Sequence, residues 1–304
     1  MLSSLSLLLG SLALAASLAG SAPTVVAKIH TGNQPCAEVG GFGHVWITNY
    51  GNGTVSRINP KTNRVDARPV AVGASPCGIV VGGGSLWVEG YGTNTIVRVD
   101  PRKLKAVARI KVGSGPYDVL YAAGSVWSTD NGSGQVSRID PKRNRVVGRI
   151  HTGGAPAGLS FAAGSVWVGS NSGDDTIFRI DPPTNRFTRI RVGQPNPAWF
   201  AATDTAVWVS SVLGGTVSRI DPSSNSVVAT IMVGTKPTDG VVGPDRLVWI
   251  PNLGDGTITR IDPATDAVRD TFPVGPGPFV LNSAFGAVWA ASYQGVDVWR
   301  LKPS

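Results

Sequence analysis

The sequence is short of charged side chains, and of glutamate in particular. Asp, Glu, Lys and Arg make up 15% of its 304 residues, and glutamate occurs only at Glu38 and Glu89. So few charges argue against a coiled coil or a solvated helical bundle, while 42% hydrophobic residues argue against disorder. The net charge of +8 includes no run of Lys or Arg, so we expect no nucleic-acid partner.

Histidine, cysteine and methionine are also scarce, with three, two and two residues. Thiolate or imidazole metal sites and Cys–His nucleophile pairs need several of these side chains close together. The sequence also lacks a phosphate loop, a dinucleotide-binding glycine motif and a nucleophile elbow. Carboxylates therefore remain as the main candidates for chemistry.

The N-terminal segment has the character of an export signal. Residues 1–22 are apolar, small and uncharged, and they end in Gly20-Ser21-Ala22, which suits a cleavage site. We interpret them as a secretory signal peptide, so we expect an extracytoplasmic protein, secreted or periplasmic, with no transmembrane domain after signal removal. No Lys or Arg precedes Lys28, and an uncleaved membrane anchor is therefore the alternative.

A repeat of about 40 residues fills the rest of the chain. Its markers are a Gly-x-x-Pro or near variant, a Trp that follows Val or Leu, and an Arg eleven residues after that Trp, or twelve in the fourth copy. The tryptophans are Trp46, Trp87, Trp127, Trp167, Trp208, Trp249 and Trp289. Seven copies in register across three markers predict seven equivalent structural units.

Within each copy the apolar residues alternate with period two, and Gly-Ser and Asp-Pro pairs mark turns. This pattern predicts four short antiparallel strands per copy, the size of one blade of a β-propeller. The segment Thr24–Gly32 is similar to the fourth strand Arg145–Gly153, and the chain ends just after a third strand. We therefore predict one all-β domain over residues 24–304, a seven-bladed propeller closed by its N-terminal strand.

The stretch Val45–Ile58, VWITNYGNGTVSRI, resembles the repeat of YVTN-family β-propellers. The spacing of the V-G-x-x-P and G-S-V-W-V segments also resembles streptogramin (virginiamycin B) lyase-like propellers. The second resemblance implies a metal-assisted elimination that uses His and Glu in a pocket on the loop face. His44 is expected in a hairpin on the opposite face and His30 and His151 in outermost strands, so the expected base is missing.

Glu38 and Glu89 are the candidate catalytic residues. The repeat places them on adjacent blades, where two carboxylates can hold a divalent cation or act as an acid and base pair. The alternative is a pair of buried carboxylates that accept hydrogen bonds from backbone amides.

The residue two positions after the Pro marker is expected to line the channel. Asp118 and Asp239 occupy this position three blades apart, and Trp199 adds an aromatic wall. The predicted ligand-binding residues are Asp118, Asp130, Trp199, Asp239, Asn49 and Asn252. Glu89, Asp118 and Asp239 are the candidate ligands for Mg²⁺ or Ca²⁺. A polar channel that holds only ordered water is the alternative.

Cys36 and Cys77 each follow the Pro of the marker, so they occupy the same position on adjacent blades. Inner strands converge toward the axis, and we predict a disulfide between them. Each repeated Arg is expected to form an ion pair within or between blades, for example with the Asp two residues later, as in Arg98 and Asp100.

The sequence favours a monomeric binding or interaction module that uses its loop face and channel mouth. Its partner is expected to be a small molecule, a cell-envelope component or a protein. The alternatives are a metal-dependent lyase or lactonase-like enzyme built on Glu38, Glu89, Asp118 and Asp239, and a purely structural envelope protein.

Overall fold

Seven antiparallel sheets surround a central channel in the computed structural model, which describes residues 22–303. The predicted signal peptide lies outside the described residues except for Ala22. Within the described part, no helix is long and apolar enough to cross a membrane. The fold is therefore the predicted seven-bladed, all-β propeller.

Every blade runs from an inner strand at the channel to an outer strand at the rim. The strands of the first three blades are β2 (Pro35–Gly41), β3 (His44–Asn49), β4 (Thr54–Asn59), β5 (Arg64–Val65) and β6 (Val70–Ala71); β7 (Pro76–Gly82), β8 (Ser85–Gly90), β9 (Thr95–Asp100) and β10 (Lys105–Lys111); and β11 (Pro116–Ala122), β12 (Ser125–Asp130), β13 (Gln135–Asp140) and β14 (Arg145–His151).

Blades 4 to 6 follow in the same order. Their strands are β15 (Pro156–Ala162), β16 (Ser165–Ser170), β17 (Thr176–Asp181) and β18 (Arg186–Arg191); β19 (Pro197–Thr203), β20 (Ala206–Ser211), β21 (Thr216–Asp221) and β22 (Ser226–Met232); and β23 (Val241–Val242), β24 (Val248–Asn252), β25 (Thr257–Asp262) and β26 (Ala267–Pro273). Two short 3₁₀ helices, Tyr91–Thr93 and Asn131–Ser133, follow β8 and β12.

Blade 7 contains both ends of the described chain. It combines β27 (Pro278–Ala284), β28 (Ala287–Ser292) and β29 (Asp297–Lys302) with β1 (Thr24–His30). The strand β1 pairs with β29 from Thr24 opposite Lys302 to His30 opposite Asp297. The predicted N-terminal closure is thus confirmed, and it covers the strand edge that β29 would otherwise expose.

The core lies between blades. The seven repeated tryptophans are at most 2% exposed. Trp127 of blade 3, for example, packs in one cluster with Leu159, Val166 and Phe178 of blade 4. Each sheet is apolar on both faces because each face is buried against a neighbouring blade.

In five blades the repeated Arg bonds to the next blade on the face opposite the loops. The guanidinium of Arg98 lies 5.1 Å over Trp87, and its Nε donates to Ser85 at 2.8 Å. Its Nη1 donates across the blade gap to the carbonyl of Pro141 at 2.9 Å and to Asn144 at 3.0 Å. Blades 2 and 3 are separate sheets, so these bonds add a polar link across a gap that no strand ladder crosses.

The acceptor of the repeated Arg differs among the blades. Asp100 accepts hydrogen bonds from the backbone of Arg102 and Lys103, which closes its turn. Neutral oxygens of the following blade are the acceptors of Arg98, Arg138, Arg179 and Arg300. The expected ion pairs form within one blade at Arg57, with Asp66, and at Arg260, with Asp245 and Asp270. Between blades 5 and 6 the acceptor is a carboxylate, because Asp266 occupies the turn position that Asn holds in blades 1, 3, 4 and 5 and pairs with Arg219 at 3.1 Å.

Blade 6 has an irregular inner strand that shapes the channel. Only Val241–Val242 pair regularly with β24, and Asp239 instead forms a parallel bridge with Val280 of blade 7. The amide of Asp239 donates to Phe279 and its carbonyl accepts from Leu281, at 3.2 and 3.0 Å. This bridge fixes the backbone from which the Asp239 side chain enters the channel.

Candidate functional site

One end of the channel, which we call the mouth, is formed where two kinds of loop meet. The loop after each second strand bonds to the Gly-x-x-Pro connection before the inner strand. The amide of Tyr50 donates to Gln34 at 2.9 Å, and the amide of Tyr91 donates to Ser75 at 3.3 Å. This hydrogen bonding holds the residues that follow each second strand at the rim of the channel.

A cavity of about 350 Å³ opens at the mouth and is walled by aromatic side chains. Neighbouring ring centroids lie 5.2 to 6.3 Å apart, in edge-to-face or tilted contact. In spatial order the rings are Tyr50, Tyr293, Phe279, Trp199, Tyr117 and Tyr91. We call these six residues the aromatic horseshoe. Their contacts make the cavity a preformed one.

The disulfide lies on the open side of the horseshoe. Cys36 and Cys77 are bonded in the structure with Cα atoms 5.0 Å apart, and both line the mouth cavity. They join the inner strands of blades 1 and 2, the blades that carry Tyr50 and Tyr91. The bond therefore holds the two ends of the horseshoe at a fixed separation.

A second, smaller cavity of about 120 Å³ lies further along the channel and is lined by residues of all seven blades. Its carboxyl groups are those of Glu38, Asp118 and Asp239. We call it the carboxyl chamber. Tyr117, Trp199, Phe279 and Cys77 line both cavities, so three aromatic rings and one end of the disulfide form the passage between the mouth and the chamber.

Asp118 is held by backbone amides of its own and the next blade. Its Oδ1 accepts from Val119 and its Oδ2 from Leu159, both at 2.7 Å. Burial raises the pKa of Asp118 to about 7, and these amides offset only part of the rise. Asp239 accepts from Phe200 at 3.3 Å. Its pKa is also well above the usual value, first because of burial and then because of the Asp118 charge.

Glu89 replaces a threonine of the repeat. In blades 1 and 3 the hydroxyls of Thr48 and Thr129 accept from an inner-strand amide, that of Ala37 at 3.1 Å and that of Asp118 at 3.0 Å. Oε1 of Glu89 likewise accepts from the amides of Cys77 and Gly78, at 2.8 and 3.1 Å. One oxygen thus has the backbone partners that the sequence suggested.

The other oxygen of Glu89, Oε2, is buried without a hydrogen-bond partner. Burial raises the pKa of Glu89 well above its usual value, the amides of Gly78, Cys77 and Tyr91 offset part of the rise, and the charge of Asp118 adds to it. A Cβ on Gly78 would lie 3.0 Å from both Asp118 Oδ1 and Glu89 Cγ. Glu89 and Asp118 therefore approach each other across a glycine that leaves the space open.

Glu38 lies on the other side of the chamber, where blade 1 meets blade 7. It is 2% exposed, and neither carboxyl oxygen has a hydrogen-bond partner of normal geometry. Burial raises its pKa well above the usual value and Asp239 raises it further, while the amides of Asn282 and Ala291 offset part of the rise. Glu38 thus interacts with Asp239 and Glu89 with Asp118, and the two glutamates line different cavities.

Asn49, Asp130 and Asn252 are buried, and they do not line the mouth cavity or the chamber. Asp130 accepts from the side chains of Gln135 and Ser137 in the next strand, and Asn49 and Asn252 donate to hydroxyls at the matching positions. Because side chains alternate along a strand, the residue after the Glu89 position points away from the channel. We do not include these three residues in the candidate site.

The histidines lie away from the mouth. His44 contacts Asp66 at 3.2 Å on the opposite face, and His30 approaches Asp297 at 3.7 Å on the outer strand. His151 is exposed at the end of β14.

The carboxyl groups are also the predicted metal ligands. Within residues 22–303, no three His, Cys, Asp or Glu side chains converge closely enough to hold a metal ion. Coordination of Mg²⁺ or Ca²⁺ by Glu89, Asp118 and Asp239 therefore remains a prediction.

Five aromatic residues of the horseshoe were missed at the sequence level. Tyr50, Tyr91 and Tyr293 all stand four residues after the repeated Trp, while Tyr117 and Phe279 stand directly after the marker Pro. Comparing each repeat position across the seven copies would have found them, because residues at equivalent positions lie at the same distance from the propeller axis.

Comparisons with known proteins support the fold. A family model described as a repeat of unknown function (DUF6923) matches residues 78–216, which is less than half of the chain. No curated protein sequence matches this chain.

Solved structures are similar over most of the chain. A streptogramin B lyase has a TM-score of 0.79 at 16% identity, covering 91% of this chain and 96% of its own. A catalytically inactive virginiamycin B lyase from Staphylococcus aureus, with a His-to-Ala substitution and with quinupristin, has a TM-score of 0.78 at 17% identity, covering 91% and 99%. The WD40 propeller domain of Doa1 reaches 0.79 at 12%, covering 94% and 98%. The chain is thus a streptogramin lyase-like propeller in fold, and such identities show the fold alone.

Proposed function

We propose that this protein is an exported binding module that takes a small organic ligand, free or as part of an envelope component or protein, into the mouth of its channel. The aromatic horseshoe carries this proposal. Six rings provide a large apolar surface with few side-chain torsions to restrict, so binding costs little conformational entropy.

Two features make the mouth suitable for a ligand. The Cys36–Cys77 bond and the contacts between rings fix the cavity before binding, which favours affinity. The passage formed by Tyr117, Trp199 and Phe279 leads to polar groups at the bottom, and a few polar groups in an apolar pocket give orientation.

A lyase or lactonase-like enzyme is the second candidate. The likeness to streptogramin lyases and the buried carboxyl groups of Glu89 and Asp118 favour it. The inactive virginiamycin B lyase carries a substituted histidine, whereas the three histidines of this chain lie away from the mouth. A binding function therefore explains the mouth without requiring a histidine there.

Ligand-observed saturation-transfer NMR tests the proposal. The probes are small aromatic amines, aromatic alcohols and saccharides, mixed with the purified protein. The mouth variant is Tyr50→Ala/Tyr293→Ala, which removes one arm of the horseshoe. Its matched control is Phe42→Ala/Phe285→Ala, since these two rings are 44% and 45% exposed in hairpins of the same two blades on the opposite face.

We expect signals from at least one probe class that disappear with the mouth variant and persist with the control. Signals that survive in the mouth variant, or the absence of binding by every class, would contradict the proposal. Turnover of streptogramin B substrates or lactones that is lost on Glu89→Gln substitution would favour the enzyme instead.

A further inference from the structure

The buried carboxyl groups of the channel have no basic partner. Glu38, Glu89, Asp118 and Asp239 line the mouth cavity or the chamber, and no Lys, Arg or His is among the residues that line either one. The positive charges of the protein lie elsewhere, for example in the Arg bonds between blades. Uncompensated buried carboxylates are costly, and their ionised form needs a cation.

Some of these groups also lack hydrogen bonds. Glu38 is 2% exposed, faces the chamber, and has no hydrogen-bond partner of normal geometry for either oxygen. Oε2 of Glu89 also lacks such a partner at the mouth. Nearly all buried polar atoms in folded proteins have partners, so these three oxygens can accept hydrogen bonds from a bound ligand.

The passage between the two cavities is aromatic. Tyr117 and Trp199 lie 5.4 Å apart, and Trp199 and Phe279 lie 5.2 Å apart, so any group that reaches the chamber passes their rings. Aromatic faces attract ammonium groups, most strongly when both are removed from water. An aromatic passage that leads to carboxyl groups suits an organic cation better than a neutral sugar.

We propose that the ligand is an organic cation, with its apolar body in the aromatic horseshoe and its ammonium group in the carboxyl chamber beside Asp118, Asp239 and Glu38. This inference rests on the proposed binding function and specifies its ligand class. A primary ammonium supplies donors to the oxygens of Glu38 and the charge that the carboxylates lack, whereas a quaternary ammonium supplies the charge alone.

Binding is then coupled to protonation. The titratable groups of the two cavities are the carboxyls of Glu38, Glu89, Asp118 and Asp239 and the phenols of Tyr50, Tyr91, Tyr117 and Tyr293. The four carboxyl groups have raised pKa values, with that of Asp118 at about 7, so the free site holds protons near neutral pH. A bound cation favours the ionised form, so binding releases protons and strengthens as the pH rises.

NMR titration with two matched pairs of probes tests the inference. Phenethylamine is compared with phenethyl alcohol, and choline is compared with neohexyl alcohol, in which carbon replaces the charged nitrogen. Choline keeps its charge at every pH, so any change in its affinity comes from the protein. Mg²⁺ and glucose are the remaining probes.

We expect both cations to bind at least about tenfold more tightly than their neutral partners at pH 8, with a smaller preference at pH 6. Asp118→Asn and Asp239→Asn should each reduce that preference several-fold and leave the alcohols unaffected. Asp204→Asn is the matched control, because Asp204 is exposed in a hairpin on the opposite face. Circular dichroism verifies that each variant is folded.

Equal affinity for amines and alcohols, or a preference that both Asn variants retain, would overturn the organic-cation inference. If glucose, an alcohol or Mg²⁺ binds at the mouth and the amines do not, the inference fails while the proposed binding function stands. If every probe is insensitive to Tyr50→Ala/Tyr293→Ala, the binding function itself fails.

Discussion

The two faces of the propeller differ in how well residue identity is kept at equivalent positions of the seven blades. On the opposite face, all seven blades have the same Trp and the same Arg, and most of these Arg side chains make the same bonds to the next blade. At the mouth, the position four residues after the Trp holds three tyrosines, two asparagines, a valine and a leucine.

This difference separates structural residues from candidate functional ones within a single chain. A position that every blade needs for packing is filled seven times by the same residue. A position that one ligand contacts is filled differently around the ring, since a ligand at the axis is not itself seven-fold symmetric. The aromatic residues gather toward blades 7, 1, 2 and 3, with Trp199 opposite them.

Replacing one tryptophan of each kind, a repeated structural one and the one at the channel, should have the largest effects. Trp127→Ala removes a fully buried side chain between blades 3 and 4 and should cost about 3–5 kcal/mol of unfolding free energy. Trp199→Ala should cost less, because Trp199 borders two cavities, but it should abolish ligand binding. Chemical denaturation and NMR titration measure the two effects, and equal losses of stability would contradict the assignment.

The disulfide should have the next largest effect. Cys36→Ser/Cys77→Ser opens a link between residues 41 apart and should cost about 2–4 kcal/mol, mainly through the unfolded state. Thiol titration of the unreduced, denatured protein should find no free thiol. Two free thiols, or unchanged stability after the double substitution, would show that the bond does not hold the mouth.

The buried carboxyls of the carboxyl chamber should make stability depend on pH. The pKa of Asp118 rises from 3.8 in the unfolded chain to about 7 in the folded one, so its protonated form is favoured by folding. Stability should therefore fall as the pH rises from about 4 to about 7. Asp118→Asn should be more stable than wild type at pH 8 by about 1–3 kcal/mol and equal to it near pH 4. A variant that is less stable at pH 8 would contradict this account.

The fold was predictable from the sequence because the repeat supplies its own alignment. Seven Trp and Arg markers set the number of blades, and the likeness of Thr24–Gly32 to a fourth strand indicated the closure. Packing of identical units leaves little choice about where those residues lie.

The site was predictable only in part. Asp118, Asp239 and Trp199 follow from the spacing after Pro, but Asn49, Asp130 and Asn252 were placed on the wrong side of the second strand. A shift of one residue reverses the direction of a side chain. The displacement of Asp239 toward blade 7 depends on the irregular inner strand of blade 6, for which the repeat gives no signal.

The Arg bonds between blades should contribute a moderate amount each. Asn144→Leu removes an acceptor of Arg98 and places a branched side chain at a positive φ of 51°, so it should cost about 1–2 kcal/mol. Denaturation of the variant beside Asn144→Gly, which keeps the backbone conformation without the acceptor, separates the two causes. If neither variant loses unfolding free energy, the bonds between blades do not stabilise the protein.

The smallest effect should be a gain. Blade 2 carries Leu104 at this turn position, with a φ of 50°, and Arg57 of blade 1 pairs with Asp66 instead. Leu104→Asn should relieve the backbone and offer Arg57 its missing acceptor, which stabilises the protein by about 0.5–1 kcal/mol. Thermal denaturation measures the change, and a clear loss of stability would mean that the packing of Leu104 outweighs the bond.

A crystal structure of the protein with phenethylamine would show where and how an organic cation binds. We expect the phenyl ring within the aromatic horseshoe and the ammonium group beside Asp118 and Asp239. Phenethylamine bound outside the mouth, or bound there with its ammonium group directed away from the carboxyl chamber, would contradict this expectation.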